Sequence, residues 1–343
     1  PLYHHQGCAT TPPDIRHVEK VLINLCLNPN VAAVLLVSLG CESVEADKIC
    51  SEVAKVGKPI ELITIQDLGG IKRATEKGIE IAKKLIDIAN SVKRVEASIE
   101  DLVIGVKCGA SDATSGIAAN PACGVAVDMI IDRGGTVIFG ETTEVIGAEH
   151  VLAKRCINND VAKKLLQKVH EMEERAKSMG VDIRGGQPTL GNIRGGLTTI
   201  EEKSLGAIVK AGSKPIVDVL EYGERPRGKG LYFMDSPGRE PEFLTGVAAA
   251  GAHIILFTTG IGATQGYPVC PVIKICGNPI TCNKLRDHID VDVSGIIEGR
   301  STIEEEGLRI FNEVIEVASG KLTKSEKLGI IDDIEIYIKG PII

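Results

Sequence analysis

Apolar positions along this chain follow two different rhythms. Short aliphatic runs at 33–39, 60–65, 102–107, 135–140, 229–234, 252–258 and 271–276 are apolar at nearly every position, the pattern of strands buried on both faces of a sheet. Between several of them the apolar residues recur at helical spacing. Ile71, Ala74, Ile81, Leu85 and Ile88 form one stripe with Lys and Glu facing away, and 161–177 is a second amphipathic stretch. A third helix is predicted over 302–319, where Ser301 and Glu304 have the spacing of a capping box and Gly320 follows the last turn. Strands alternating with helices predict an α/β protein with a mostly parallel sheet of about seven strands flanked by helices.

Residues 151–226 contain no comparable run. They begin helical and become Gly-rich through RGGQP, LGNIRGGL and ERPRGKG. The expected organisation is therefore a first βα half at 1–150, a helical and Gly-rich connecting lobe at 151–226, and a second βα half at 227–343. A length of 343 residues suits one large α/β domain or two smaller ones. With no Trp and only five Phe and five Tyr, aliphatic side chains must fill the interior. The charge-free stretch 243–273 is broken by Gly, Thr, Gln and two Pro, and it is not expected to span a membrane.

Charge narrows the class of partner. The 39 Lys and Arg against 46 Asp and Glu leave a net charge of −7, with no basic run, which argues against nucleic acid. A small molecule is expected instead, and an anionic one would depend on local cations such as Lys107, Lys154, Arg155, Arg194 and Lys203. Ten Cys behind a polar opening, PLYHHQGC, favour a reducing cytoplasm. Thiols there are buried, catalytic or metal-bound more often than paired.

Two of these thiols share a structural position. Cys41 follows VLLVSLG and Cys108 follows VIGVK, both where a parallel strand should end and where open α/β sheets bind ligands. Each precedes a carboxylate, Glu42 or Asp112; an inert thiol at a strand end is the plainer alternative. In YHHQGC, His4, His5 and Cys8 lie within one turn, and imidazole and thiolate both suit Fe or Zn. A frayed terminus or a tag remnant has the same pattern. Cys26, Cys50, Cys123 and Cys156 fall on apolar helical faces as core residues, and Cys270, Cys276 and Cys282 are spaced too widely for a zinc knuckle.

The strand TVIFG runs into Glu141, Thr142, Thr143 and Glu144, with Glu149 and His150 beyond. Paired carboxylates near a His offer an acid, a base or hard metal ligands, although solvated acids at a helix start look the same. GNIRGGLTTIEEKSLG combines glycine amides with Thr198, Thr199 and Lys203, a set that suits a carboxylate or phosphate or, equally, a capped helix with Glu201 and Glu202 in its first turn. FTTGIGATQG places Gly260 and Gly262 after a strand, but the third glycine is displaced and VIKICGN ends without a ribose-binding acid. A nucleotide-binding oxidoreductase is thus the weaker alternative.

Taken in order, HHQGC (4–8), LNPN (27–30), VSLGCE (37–42), GG (69–70), KCGASDATSGIAANPACGVAVD (107–128), GETTEVIGAEH (140–150), GGLTTIEEKSLGA (195–207), FMDSPG (233–238) and FTTG (257–260) cover nearly the whole chain. Together they resemble the catalytic region of the altronate and galactarate dehydratase family, which also includes the large subunit of sulfolactate sulfo-lyase. The resemblance implies a Rossmann-like sheet associated with a dimerising region, and a lyase that removes water from a sugar acid with iron or a similar divalent metal. Cys8, Cys41 and Cys108 match family motifs and would hold a single Fe(II) or three corners of an iron-sulfur cluster, with zinc as a third form.

His5, Glu141, Glu144 and His150 are then the candidate acid and base for proton abstraction next to the carboxylate and loss of the β-hydroxyl. Ser111, Asp112, Asn120, Thr199 and Lys203 are the candidate substrate ligands. Tyr267 stands where similar proteins carry a cysteine, a departure that bears on substrate specificity. Similar proteins often begin with a small β-rich domain not found in this sequence, so a partner subunit or separate domain is expected, together with a homo-oligomer. A non-catalytic metal-binding or scaffold subunit is the remaining alternative.

Overall fold

The computed structural model describes residues 2–342. Strands β1 (Val34–Ser38) and β2 (Ile60–Thr64) pair in parallel as a separate two-stranded sheet. Helix Ile71–Ser91 covers it, and the middle of the predicted stripe does the packing: Ala74, Ile81 and Leu85 are buried against Ile63, whereas Ile71 and Ile88 at its ends are exposed.

Seven further strands form one parallel sheet. They are β3 (Val103–Cys108), β4 (Thr136–Phe139), β5 (Ile216–Leu220), β6 (Gly230–Met234), β7 (Ile254–Thr259), β8 (Val272–Cys276) and β9 (Val291–Asp292), in the order β5-β6-β4-β3-β7-β8-β9. A parallel sheet of seven strands agrees with expectation, but its membership differs. The first two predicted runs leave for their own sheet, and β5 and β9 take their places. The β5 strand lies in a stretch where none was expected, because its sequence IVDVL carries Asp218 at a half-buried position that only an edge strand tolerates. The two residues of β9 are too few to leave a periodic signal.

Apolar side chains pack on both faces. Ile104, Val106, Val137, Phe139, Leu256 and Ile273 meet helices Asn120–Asp132 and Ile303–Ala318 on one side. Ile138, Ile255, Phe257 and Val272 meet helices Pro12–Cys26 and Glu240–Ala249 on the other. The helix at 303–318 is capped one residue later than its spacing suggested: Thr302 and Glu305 form the box, and Gly320 closes the end at φ +110°. Ser301–Glu304 and Thr302–Glu305 satisfy the same motif, so local spacing does not choose between them. Cys156 sits on a β-bridge to Ile216 rather than on a helix. Among the described residues no helix is long and apolar enough to cross a membrane.

Central β3 pairs with β4 on one side and β7 on the other. Later strands are added in both directions from it, so its carboxyl end opens at the place where such sheets bind ligands.

Candidate active site

A cavity of about 530 Å³ lies at the carboxyl ends of β3, β4 and β6. Cys108 to Ser111 after β3, Thr143 and Glu144 after β4, and Gly238 to Glu240 after β6 form part of its wall. Lys203 and the segment carrying Gln187, Thr189 and Asn192 complete it.

Behind Cys108 is a buried trio of charges. Lys107 is fully buried, with its ammonium 5.6 Å and 5.5 Å from the ring centres of Phe243 and Phe257. It donates to Glu141 Oε1 at 2.6 Å, to the Cys108 carbonyl at 2.8 Å and to the Gly238 carbonyl at 3.0 Å. Lys210, just beyond helix Ile200–Ile208, binds Glu141 Oε2 at 2.8 Å and approaches Cys108 Sγ at 3.1 Å. The Cys108 amide also donates to Glu141 Oε2.

Burial opposes the charge on Glu141, but the two lysines outweigh it and hold the carboxyl below the usual carboxylate range. Both ammoniums are in turn held above the usual lysine range, Lys107 chiefly by Glu141 and Lys210 by Cys108 and Glu141, against the effect of burial. Burial pushes the Cys108 thiol up to about 11, with Glu141 adding to the shift and Lys210 opposing it.

Glu141 is held in a costly backbone conformation. Its φ of +67° is left-handed, which for a non-glycine residue costs about 1–3 kcal/mol. The loops after β4 and β6 interlock to hold it there. The Glu141 amide donates to Ser236 Oγ at 2.9 Å, the Thr142 amide to the Ser236 carbonyl at 2.8 Å, and the Thr142 hydroxyl to Asp235 Oδ1 at 2.9 Å. The strings GETTE and FMDSPG are therefore two halves of one hydrogen-bonded unit.

Within the cavity, Lys203 bridges two acceptors, Glu144 Oε1 at 3.1 Å and Gln187 Oε1 at 3.0 Å. The other oxygen of Glu144, Oε2, is buried with no hydrogen-bond partner among the described residues. Arg239 is engaged by both Glu242 and Glu335, and Glu240 Oε1 lies 3.9 Å from Lys107.

The residues expected to act from sequence are distributed unevenly. Cys108, Ser111, Glu144 and Lys203 line the cavity. Asp112 is buried behind it and accepts from the Thr114 hydroxyl, the Ser115 amide and Asn278 Nδ2 at 2.6, 3.1 and 2.8 Å. Asn120 is likewise buried, donating to the Gly206 carbonyl and accepting from the Thr258 hydroxyl. Thr199 caps helix Ile200–Ile208 through the Glu202 amide and is exposed. His5 and His150 are exposed and outside the cavity lining.

Asp112 also explains the glycine of FTTG. A Cβ on Gly260 would lie 1.9 Å from Asp112 Oδ1, and residues 260–271 contain no helix. The anion-binding helix start that a dinucleotide fingerprint needs is therefore missing. Gly260→Ala is expected to push Asp112 off its three donors and lower stability by about 1–3 kcal/mol, measured by urea unfolding.

The other two motif thiols lie elsewhere. Cys8 and Cys41 are exposed on adjoining loops, joined where the Ser43 and Val44 amides donate to the Gly7 carbonyl. The nearby His4 pairs with Ile334, whose neighbour Glu335 binds Arg239 at the cavity. Among the described residues no three His, Cys, Asp or Glu side chains are grouped to hold a metal ion. In this arrangement Cys8, Cys41 and Cys108 do not fit a shared metal.

Lys210, Gln187, Arg239 and Glu240 were not singled out from sequence. Lys107 and Lys210 had one available signal, since each interrupts an apolar stretch, VIGVKC or AIVKAG. No local pattern connects either of them to Glu141.

A parallel sheet whose strand ends carry carboxylates and ammoniums around a cavity has the arrangement of an enzyme's site. Residues 99–341 match the family described as D-galactarate/altronate dehydratase, C-terminal, and residues 1–90 match D-galactarate dehydratase/altronate hydrolase, second domain. The chain belongs to this family of lyases. It is 40% identical over 335 residues to (2R)-sulfolactate sulfo-lyase subunit beta of Chromohalobacter salexigens, covering 96% of this chain and 84% of that protein. It is 35% identical to galactarate dehydratase (L-threo-forming) of Escherichia coli, covering 94% and 63%. Altronate dehydratase of Bacillus subtilis is 34% identical, covering 95% and 65%. The chain thus spans less than two thirds of either dehydratase.

Proposed function

We propose that this chain is a hydro-lyase that removes water from a sugar acid such as galactarate or altronate, with the acid's carboxylate bound at Lys203. The observation that carries the reading is the bare Oε2 of Glu144, a buried carboxylate oxygen without a partner beside an ammonium in a strand-end cavity. A C–H bond next to a carboxylate is weakly acidic, because its electron pair must be stored as an ene-diolate. Lys203 stabilises that charge by binding the carboxylate oxygens, and Glu144 takes the proton on Oε2. Elimination then expels the β-hydroxyl as water once it is protonated. Glu144 can return its proton to a hydroxyl on the same face of the substrate, and Ser111, Cys108 or Glu240 supplies one on the other face.

The test is incubation of the purified chain with galactarate, altronate and sulfolactate, assaying keto acid as its semicarbazone and sulfite with a thiol-reactive dye. Keto acid from a sugar acid is the expected result. Sulfite from sulfolactate would instead move the reading to a sulfo-lyase, the second candidate, which is supported by the longer match to the sulfo-lyase subunit. That relative's name makes it one subunit of an assembly, so a partner subunit and a homo-oligomer are part of the proposal. Ten unpaired cysteines support a reducing cytoplasm.

Iron on Cys8, Cys41 and Cys108 requires the two exposed loops to come to the cavity, and the steps above do not use it. If iron does bind there, Cys41→Ala is expected to abolish the iron content of anaerobically purified protein, measured by metal and acid-labile sulfide analysis.

A further inference from the structure

We infer that Gln187 is a specificity-determining residue whose side-chain amide occupies the substrate's carboxylate seat on Lys203, so that an acid binds by displacing it. This rests on the proposed role of Lys203 and names what controls entry to that seat.

Two cations line the cavity, and they differ in what holds them. Arg239 is bound by two carboxylates, Glu242 and Glu335, so a substrate that took their place would leave a carboxylate unpaired. Lys203 is bound by one carboxylate, Glu144, and by one neutral oxygen, Gln187 Oε1 at 3.0 Å. Displacing that amide strands no charge. An amide oxygen has the shape and lone-pair geometry of a carboxylate oxygen, but a charged acceptor binds an ammonium roughly twice as strongly. The seat is therefore filled by a group that a carboxylate can outcompete.

The backbone around Gln187 permits the exchange. Arg184 anchors the segment to Glu173 at 2.8 Å and more loosely to Glu149 at 3.5 Å and Glu201 at 3.9 Å. Between that anchor and Gln187 stand Gly185 and Gly186, where an added Cβ would meet nothing within 4 Å. The Gln187 amide N–H donates to the Ile183 carbonyl at 3.1 Å, so the exchange is a rotation of the Gln187 side chain into open space while the backbone and Arg184 stay in place. Val181 and Ile183, which also line the cavity, remain as an apolar roof over the bound acid.

The experiment is calorimetric binding of hydroxymalonate, an α-hydroxy dicarboxylate with no β-hydroxyl to lose, to the wild type, Gln187→Ala and Gln187→Glu, with thermal melts of each. A placeholder predicts opposite signs. Gln187→Ala removes the competitor and tightens binding a few-fold, whereas Gln187→Glu places a fixed carboxylate on Lys203 and weakens binding by roughly 10-fold or more.

A residue that merely pegs the roof predicts the reverse order, weaker binding in Gln187→Ala and near wild-type binding in Gln187→Glu, and that result overturns the inference. Failure of the folded wild type to bind hydroxymalonate overturns it as well. Correct shifts in a protein that dehydrates no sugar acid would leave the seat standing and remove the proposed reaction. Dehydration with the reversed order would remove only the role of Gln187.

Discussion

Glu144→Gln is expected to lower kcat by roughly 10²–10⁴-fold, the usual contribution of a positioned acid or base, with a lower melting temperature as Lys203 loses its carboxylate partner. The substitution keeps the shape of the side chain and an oxygen for Lys203, and it replaces the unpartnered Oε2 with an NH₂ that cannot take a proton. Oε2 makes no hydrogen bond among the described residues, so the stability at stake is the charge of the Lys203 pair and not a hydrogen bond to Oε2. Removing a negative charge from the wall does not weaken binding of an anion, so KM is expected to hold or fall. A mutant with unchanged kcat would remove Glu144 as the base, and with it the observation on which the proposed function rests.

Glu141→Gln acts on the fold as well as on the site. Lys107 and Lys210 are essentially without solvent, and Glu141 is the carboxylate that both contact at hydrogen-bond distance. Taking one partner from a buried ion pair costs about 3–5 kcal/mol, because the charge left behind has neither water nor a counter-ion. Here two ammoniums would face each other across a neutral amide, with Glu240 Oε1, 3.9 Å from Lys107, as a more distant carboxylate. A fall of that size in unfolding free energy is expected from urea titration, with loss of activity as Cys108 and its loop shift.

The control is a second substitution in the same background. Adding Lys210→Met to Glu141→Gln removes one of the stranded charges and should restore part of the loss, the sign of direct coupling between neighbours. If Glu141→Gln alone cost less than about 1 kcal/mol, the trio would not be holding two charged lysines.

Carboxylates with the same appearance in the sequence have different fates in the fold. Asp112 and Glu141 lie between a strand and a helical turn, and Glu144 ends the turn that Glu141 begins, so each is a reasonable site residue from sequence. Asp112 packs into the space left by Gly260, Glu141 is consumed by two buried lysines, and Glu144, in the cavity wall, keeps a buried oxygen with no partner among the described residues. Lys203 lies in a stretch that reads either as a ligand site or as a capped helix: Thr199 caps the helix, and the helix places Lys203 in the cavity wall.

The sequence by itself determined seven of the nine strands and the amphipathic helices between them. Burial on two faces requires an apolar residue at almost every strand position, and a helix end requires a cap within a turn; both demands are local and leave local patterns. Its ordered motifs likewise determined the family. Only the tertiary structure decided that β1 and β2 leave the main sheet, that Lys107 and Lys210 share Glu141, and that Gln187 sits on Lys203. Charge pairing depends on distance in space: Lys107 and Lys210 reach Glu141 from distant segments of the chain, and even Gln187 and Lys203, close in sequence, meet through a fold that no periodic pattern announces.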